Sequence, residues 1–328
     1  MQTWPMLSVI VPARDDAATL PATVEAILAQ QYPGSLEIIL AVGPSADDTA
    51  EVAAELAAAD ERLRVVDNPH GTTSSALNIA IGAARGPIIA RMDAHAEPTP
   101  GYLELVVVLL EETGAANVGG IQLARGTTHF QQAVATAMTS RFGTGDAKFH
   151  YGGEPGPTDT VYLGSYRRDV LERLGGFDES LLRNQDYELN VRLRERDEVV
   201  WFDPRLKVIY RPRATLRSLL RQYYDYGRWK RLVVHRHPRS LRWRQLLPPA
   251  TVLANALGFL CGLAGFRRGL IVPGLYISAT AVASLLAGWR QGPHVVVRLP
   301  LAFAAMHHAW GVGFLIGVRP EQHAPTGR

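Results

Sequence analysis

The stretch Ala90-Arg91-Met92-Asp93-Ala94-His95 puts an acid and an imidazole two positions apart at the carboxyl end of an apolar run. Such spacing brings both side chains near one point, where a strand gives way to a loop. A carboxylate there can hold a divalent cation, and the cation can neutralise a diphosphate. An imidazole partner favours Mn2+ over Mg2+. The competing structural reading has Asp93 capping the next helix and His95 solvated. Three other polar stretches follow apolar runs in the same manner: Val11-Pro12-Ala13-Arg14-Asp15-Asp16, Gly43-Pro44-Ser45-Ala46-Asp47-Asp48-Thr49, and His70-Gly71 leading through Ala76 to Asn78.

The elements that must carry these loops are readable from periodicity. Residues 7–11, 36–42, 63–66 and 87–92 are short runs rich in Val, Ile and Leu, ended by Pro, Gly or Asp, and predict buried strands. Residues 19–30, 49–59 and 74–84 have helical spacing, and Pro21 suits the first turn of its helix. Strand and helix alternating at this interval make right-handed βαβ units on a parallel sheet. Ligands of such sheets sit beyond the carboxyl ends of the strands, which is where all four polar stretches fall.

In this order and spacing the chain resembles the nucleotide-sugar half of family 2 glycosyltransferases with the GT-A fold. That family carries a Pro-x-x-Asn-Glu-like first loop, an Asp-x-x-Ser-x-Asp-x-Thr-like second loop, a Gly-x-x-x-Ala-x-Asn segment and an Asp-x-Asp triplet, here Asp93-Ala94-His95. The variant triplet is similar to that of the membrane-anchored branch typified by succinoglycan-biosynthesis ExoA-type enzymes. Gly164-Ser165-Tyr166-Arg167-Arg168, Leu174-Gly175-Gly176-Phe177-Asp178-Glu179 and Asn184-Gln185-Asp186-Tyr187-Glu188 extend the resemblance, which covers about residues 7 to 235.

The resemblance implies an α/β fold, the GT-A nucleotide-diphospho-sugar transferase type with a Rossmann-like mixed sheet. It implies that Asp186 is the catalytic base, taking the acceptor proton near the anomeric carbon. Gln185 replaces the usual Glu beside it, on the acceptor side. Without the resemblance, Asp186 reads as a helix N-terminal acid favoured by the macrodipole. Glu188 is expected to be solvated or paired with Arg192 one turn on. Asp93, with His95, is implied to bind a divalent cation, Mn2+ or Mg2+. Pro12, Arg14, Asp15, Ser45, Asp47, Asn78, Arg91 and Asp93 are implied to lie on the side of the nucleotide-sugar donor. Val42 stands where the family often has an acid that reads the nucleobase, which leaves Asp15, Ser45 or Asp47 for that task. Gln222, Arg228 and Trp229, in a Gln-Tyr-x-x-Tyr-Gly-Arg form, are implied to line the acceptor site, since aromatic rings stack on sugars and Arg grips phosphate. The same segment also reads as an amphipathic interfacial helix.

The second half of the chain differs in kind. Between Arg205 and Arg244 there are 13 Lys or Arg against one acid, Asp225. Three apolar stretches of the length needed to cross a bilayer follow, at about 246–265, 270–289 and 295–318. The expected organisation is a glycosyltransferase domain over 1–204, a basic interfacial segment over 205–245, transmembrane or re-entrant helices over 246–318, and a tail over 319–328. Three full crossings would place Arg267 and Arg268 outside, against the positive-inside rule, and a re-entrant hairpin for the first two stretches removes the conflict. No signal-peptide pattern precedes the first strand, so the catalytic half is expected on the cytoplasmic face of a multi-pass inner (plasma) membrane protein. Whole-chain averages hide this division. A net charge of +3 and 47% hydrophobic residues are sums over a polar enzyme and a lipid-facing tail.

A single cysteine, Cys261, excludes a disulfide scaffold or a cysteine-rich zinc site and is expected to be buried and inert. His307 and His308 are adjacent, so they point to different helix faces and suit packing rather than a shared metal. The basic run lacks any nucleic-acid recognition motif and abuts apolar spans, which favours membrane lipids as partners. The expected function is inverting transfer of a sugar to a lipid-linked or other glycan acceptor, for polysaccharide or cell-envelope synthesis. The alternatives are a catalytically inactive glycosyltransferase-like membrane scaffold, motivated by Val42, Gln185 and His95, and a processive polysaccharide synthase, for which three short spans are few.

Overall fold

A computed structural model describes residues 4–318. The chain opens with β1 (Leu7–Ala13), α1 (Leu20–Leu28), β2 (Leu36–Val42), α2 (Thr49–Ala59), β3 (Leu63–Asp67), α3 (Thr73–Ala83), β4 (Ile88–Arg91), β5 (Glu97–Pro98), α4 (Tyr102–Thr113) and β6 (Asn117–Ala124). Next come α5 (His129–Met138) and two single turns, α6 (Arg141–Thr144) and α7 (Lys148–Tyr151). The chain then forms β7 (Gly156–Pro157), β8 (Tyr162–Arg167), α8 (Arg168–Leu174), α9 (Gln185–Arg194) and β9 (Val200–Tyr210). It ends with α10 (Leu216–Arg236), α11 (Leu247–Leu263), α12 (Ile271–Gly288), α13 (Pro293–Val296) and α14 (Leu299–Ile316).

These elements divide into two compact units. One holds the described residues up to Leu123 together with Gly152–Tyr210; the other holds Ala124–Tyr151 together with the described residues from Arg211 onward. The first is a mixed sheet in the order β3-β2-β1-β4-β8-β6-β9-β5, with β7 beside β9. β3, β2, β1 and β4 are parallel, and β8 joins β4 antiparallel. Strands covered on both faces read as unbroken apolar runs, and Val9, Ile10, Val11, Ile38, Ile39 and Leu40 are all fully buried. This is the GT-A arrangement expected from the motifs.

At the amino edge of the sheet a buried acid locks three segments. Glu37 accepts from the Ser8 hydroxyl (2.6 Å), the Arg85 backbone (2.7 Å) and the Arg85 guanidinium (2.9 Å), while the Gly86 N–H donates to Ser8 (2.9 Å). Burial alone would raise the Glu37 carboxyl, but Ser8 and Arg85 draw it below its ordinary value. A Cβ at Gly86 would lie 2.7 Å from the Met6 carbonyl, so only glycine fits. Arg85-Gly86 therefore fastens the frame, far from the strand ends that carry the chemistry.

The second unit is helical. α10 and α14 approach through glycine: a Cβ at Gly227 would overlap the Trp310 carbonyl, and one at Gly313 the Tyr224 carbonyl. Among the described residues, three helical stretches are long and apolar enough to cross a membrane: Trp243–Leu263, Arg267–Gly288 and Pro293–Ile316. The first two are mostly exposed, and the third is nearly half buried. α11 and α12 form a hairpin closed where Gly258 and Gly262 meet Gly269 and Leu270. Its legs splay over α14. Pro248 of α11 sits against Gly311, while Gly288 of α12 sits against Leu299. Asn255 of α11 reaches His308 (3.3 Å), and Tyr276 of α12 bonds the adjacent His307 (3.1 Å) and packs edge-on against His308 (4.9 Å). Cys261 is part-buried on α11 rather than fully buried.

The boundary expected at 204 falls inside β9, which continues to Tyr210 because Val208 and Ile209 pair with β5. Residues 124–151, expected to lie within the first domain, group with the C-terminal helices. His307 bonds the Phe142 carbonyl (2.8 Å) and His294 bonds Gln132 (3.0 Å). The segment expected as 319–328 lies outside the described residues.

Candidate active site

The loops after β1 and β2 are tied to one another. The Asp15 N–H donates to Ser45 Oγ (3.2 Å), and the Ala46 N–H donates to Asp15 Oδ1 (2.7 Å). Asp15 takes a left-handed conformation (φ 56°) to do so, which Asp tolerates better than most residues. Asp47 accepts from the Ala17 N–H (3.1 Å) on one oxygen and from the Thr49 N–H (3.2 Å) and hydroxyl on the other. The Thr49 hydroxyl is the main reason the Asp47 carboxyl lies below its ordinary range. Both Asp47 oxygens are thus committed to holding the loops. Pro12 is the penultimate residue of β1. Arg14 spans to the third loop, donating to the Gly71 carbonyl (2.9 Å), and stays more than half exposed. The structure brings Arg14, Asp15, Ser45 and Asp47 together at the carboxyl edge, with the first two loops acting as one body.

The centre of the site is Arg91, the last residue of β4. Its side chain is 5% exposed. Nε (3.1 Å) and Nη2 (2.8 Å) donate to Asp93 Oδ1, and Nη1 donates to Asp186 Oδ1. One buried guanidinium therefore holds two carboxylates that stand 93 positions apart in the sequence. A buried cation needs such partners, and its planar fork suits two acceptors at once. The carboxylates differ in response. For Asp93, burial is outweighed by Arg91 and then His95, and its carboxyl is lowered. For Asp186, burial and the nearby Asp93 charge outweigh Arg91, and its carboxyl is raised. Two acids pushed in opposite directions is the pattern of a divided acid–base site. Sequence reading put Arg91 on the donor side, and its three donated bonds make it a bridge between the two acids.

Asp186 lies in the first turn of α9, after Asn184 in a left-handed conformation (φ 63°), and Gln185 beside it is buried. Glu188 makes the expected i+4 pair, a bidentate one, with Arg192 (2.7 and 2.8 Å). Arg192 also donates to the Leu174 (2.8 Å) and Gly176 (2.7 Å) carbonyls. Asn78 grips the same turn: its amide donates to the Phe177 carbonyl (2.9 Å) and Glu179 (2.8 Å), and its oxygen accepts from the Phe177 N–H (2.8 Å). Asn78 thus holds the Gly175-Gly176-Phe177 turn, a role its place in the motif did not reveal. Gly175 and Gly176 both have positive φ (74° and 71°), which explains the doublet.

The donor set for a metal is small. Among the described residues no three His, Cys, Asp or Glu side chains gather to hold an ion. Asp93 Oδ2 accepts no hydrogen bond among the described residues. His95 is 43% exposed, with Nδ1 3.6 Å from Asp16 Oδ1. Two protein donors fit a cation that takes its remaining ligands from a diphosphate and water. They do not fit a closed, all-protein site.

In the helical unit, Gln222 donates to the Tyr226 hydroxyl (2.9 Å), and Arg228 donates to the Gly317 carbonyl (3.1 Å) and lies over the Tyr224 ring (5.4 Å). Trp229 is 4% exposed. A buried indole has no face to offer a sugar, so the stacking expected of Trp229 is replaced by packing within the helices.

Comparison with known proteins bears on the whole chain. Residues 8–175 match the family model described as Glycosyl transferase family 2. The succinoglycan biosynthesis protein ExoA of Rhizobium meliloti is 31% identical over 312 residues, covering 93% of each chain. The glycosyltransferase AglE of Haloferax volcanii is 30% identical over 120 residues, 36% of this chain and 40% of that protein. Among solved structures, the mannosyltransferase PcManGT of Pyrobaculum calidifontis, in complex with GDP-Man and Mn2+, superposes with a TM-score of 0.61 at 18% identity. It covers 93% of this chain and 86% of its own, a likeness of fold.

Proposed function

The chain belongs to glycosyltransferase family 2, and we propose that it moves a sugar from a nucleotide-sugar donor to a lipid-linked acceptor at the cytoplasmic face of the inner membrane, inverting the anomeric centre in one in-line displacement. The observation that carries this reading is the Arg91 bridge, which holds a donor-side acid and an acceptor-side acid on one buried cation. Asp186 is the base. Its Oδ1 is fixed by Arg91, its side chain keeps 28% exposure, and Oδ2 accepts no hydrogen bond among the described residues. Its raised carboxyl is more basic than an ordinary aspartate, which favours taking the acceptor hydroxyl proton.

Asp93 Oδ2 and the His95 imidazole would hold the divalent cation, which supplies charge neutralisation for the departing nucleoside diphosphate when bound. Arg14, with Asp15 and Ser45 from the joined loops, contacts the nucleotide; Gln185 faces the acceptor. PcManGT, of the same fold, is described with GDP-Man and Mn2+, which supports this class of donor and metal. The similarity to a protein named for succinoglycan biosynthesis supports a product destined for polysaccharide or cell-envelope assembly. The helices over 246–318 anchor the chain as a multi-pass protein, with the basic α10 at the lipid surface.

The test is binding and turnover with purified full-length protein. UDP-, GDP- and dTDP-sugars are screened by thermal shift with and without Mn2+, followed by transfer assays. A nucleotide sugar should stabilise the protein more with Mn2+ than without. A shift indifferent to the metal would overturn the role given to Asp93.

A further inference from the structure

The sheet holds α9, the helix that carries Asp186, at two points one turn apart. Asp186 meets Arg91 of β4, and Asn190 meets Asn117 of β6, whose amide donates to the Asn190 side-chain oxygen (2.7 Å). Residues four apart share one face of a helix, so both points lie on the face turned to the sheet. β8 runs between β4 and β6, and the two attachments straddle it. A helix held at one point can roll about that contact. Two points on separate strands fix its roll and its position along the sheet.

The second point is a buried polar chain. The Asn190 amide donates onward to the Thr160 hydroxyl (3.0 Å), in the segment that leads into β8. Asn117 and Asn190 are fully buried and Thr160 is 7% exposed. Apolar side chains could fill such a place in many arrangements, whereas buried amides must find their partners and so define where the helix sits.

β8 is shaped to receive this chain. Tyr166 pairs with Ile89 on one side and with Asn117 on the other, so the three side chains form a row on one face. Gly164, two positions along that face, comes level with Arg91. A Cβ at Gly164 would lie 2.5 Å from Asn117 Oδ1 and 2.6 Å from the Tyr166 hydroxyl. Tyr166 stands edge-on to Phe177 at 6.1 Å, in the turn that Asn78 grips. Asn117 Oδ1 and the Tyr166 hydroxyl make no hydrogen bond among the described residues, so the Asn117 side chain is held through its nitrogen, by Asn190. Gly164-Ser165-Tyr166 is thus the floor on which α9 is fastened.

We propose that Asn117, Asn190 and Thr160 are positioning residues for Asp186: they set the roll of α9 that aims the carboxylate at the acceptor hydroxyl. All three act through Asp186 and not on the reacting atoms. This inference rests on the reading of Asp186 as the base.

The test uses full-length protein in detergent and whichever of the UDP-, GDP- and dTDP-sugars the screen above selects. Thr160→Val keeps the shape of the side chain and removes the hydroxyl that the Asn190 amide needs. Its kcat for transfer should fall about tenfold, because small misplacements of a reacting group slow the reaction. KM for the nucleotide sugar should stay within about twofold, because the donor contacts are untouched. Thr160→Ser keeps a hydroxyl and should keep the wild-type kcat. In an Asp186→Asn background Thr160→Val should cause no further loss, since a residue that acts through the base has nothing left to position. Asn117→Ala cuts the chain at its other end and repeats the comparison if Thr160→Val melts below the assay temperature. An equal loss in both backgrounds, an unchanged kcat, or a change confined to KM would overturn the inference. Failure of the base reading shows differently: Asp186→Asn alone would then transfer at the wild-type rate.

Discussion

Replacing Arg91 by Met removes one cation and three donated hydrogen bonds from the junction of β4 and α9. It leaves Asp93 and Asp186 as neighbouring acids with no shared partner. Removing one member of a buried ion pair costs about 3–5 kcal/mol. At roughly 2–4 °C per kcal/mol for a unit of this size, the midpoint should fall by about 10 °C. A second consequence separates positioning from mere stability. The Arg91 charge lowers the Asp186 carboxyl against burial, so without it that carboxyl rises further and less Asp186 is ionised at a given pH. The acidic limb of the kcat/KM profile should then move to higher pH. Arg91→Lys keeps a charge but not the planar fork, so it should move the limb less and still lower kcat by roughly a hundredfold, as misplaced groups do. The assay is a set of pH–rate profiles for transfer beside thermal melts. A Met variant with the wild-type acidic limb would refute the bridge, whatever its stability.

Other perturbations follow from the same contacts. Asn78→Ala should cost about 2–3 kcal/mol in denaturant unfolding, through the freed Phe177 turn, and should change nucleotide-sugar affinity less than Arg14→Ala does. Glu37→Ala leaves the Ser8 hydroxyl and the Arg85 backbone and guanidinium donors unmet and should cost roughly 3 kcal/mol. Because the folded Glu37 carboxyl lies below its unfolded value, its contribution is full above the unfolded pKa and is lost as pH falls through the folded one; urea melts across the acid range should show that slope disappear in the variant. Gly227→Val drives a side chain into the Trp310 carbonyl and should destabilise the helical unit by about 3 kcal/mol, seen as a lower melting midpoint in detergent.

Much of the frame was open to sequence reading because it is written locally. β1, β2, β3 and β4 are β-branched runs closed by turn residues, and each fell within a few residues of its expected place. The two-residue strands β5 and β7 have no such signal, since they exist only through pairing with β9. The grouping of α5–α7 with the C-terminal helices was equally hidden. It depends on His294 and His307 reaching back more than 160 positions, which no periodicity encodes. Within the site, residue types were informative and partners were not. Asp47 and Asn78 sit in motif positions that suggested donor contacts, yet their side chains brace loops. Arg91 next to Asp93 was visible, but Asp186 on its other side was not. The Glu188–Arg192 pair was foreseeable because helical spacing alone creates it.

The account stands most directly on Asp186, and Asp186→Asn tests it in one preparation. The amide keeps the size of the side chain and can still meet Arg91 through its carbonyl oxygen, but it cannot take a proton. Nucleotide-sugar affinity measured with Mn2+ should stay within about threefold of wild type, while transfer to the acceptor should fall by at least roughly a hundredfold, the scale of general-base catalysis. Transfer at the wild-type rate by the Asn variant would contradict the account.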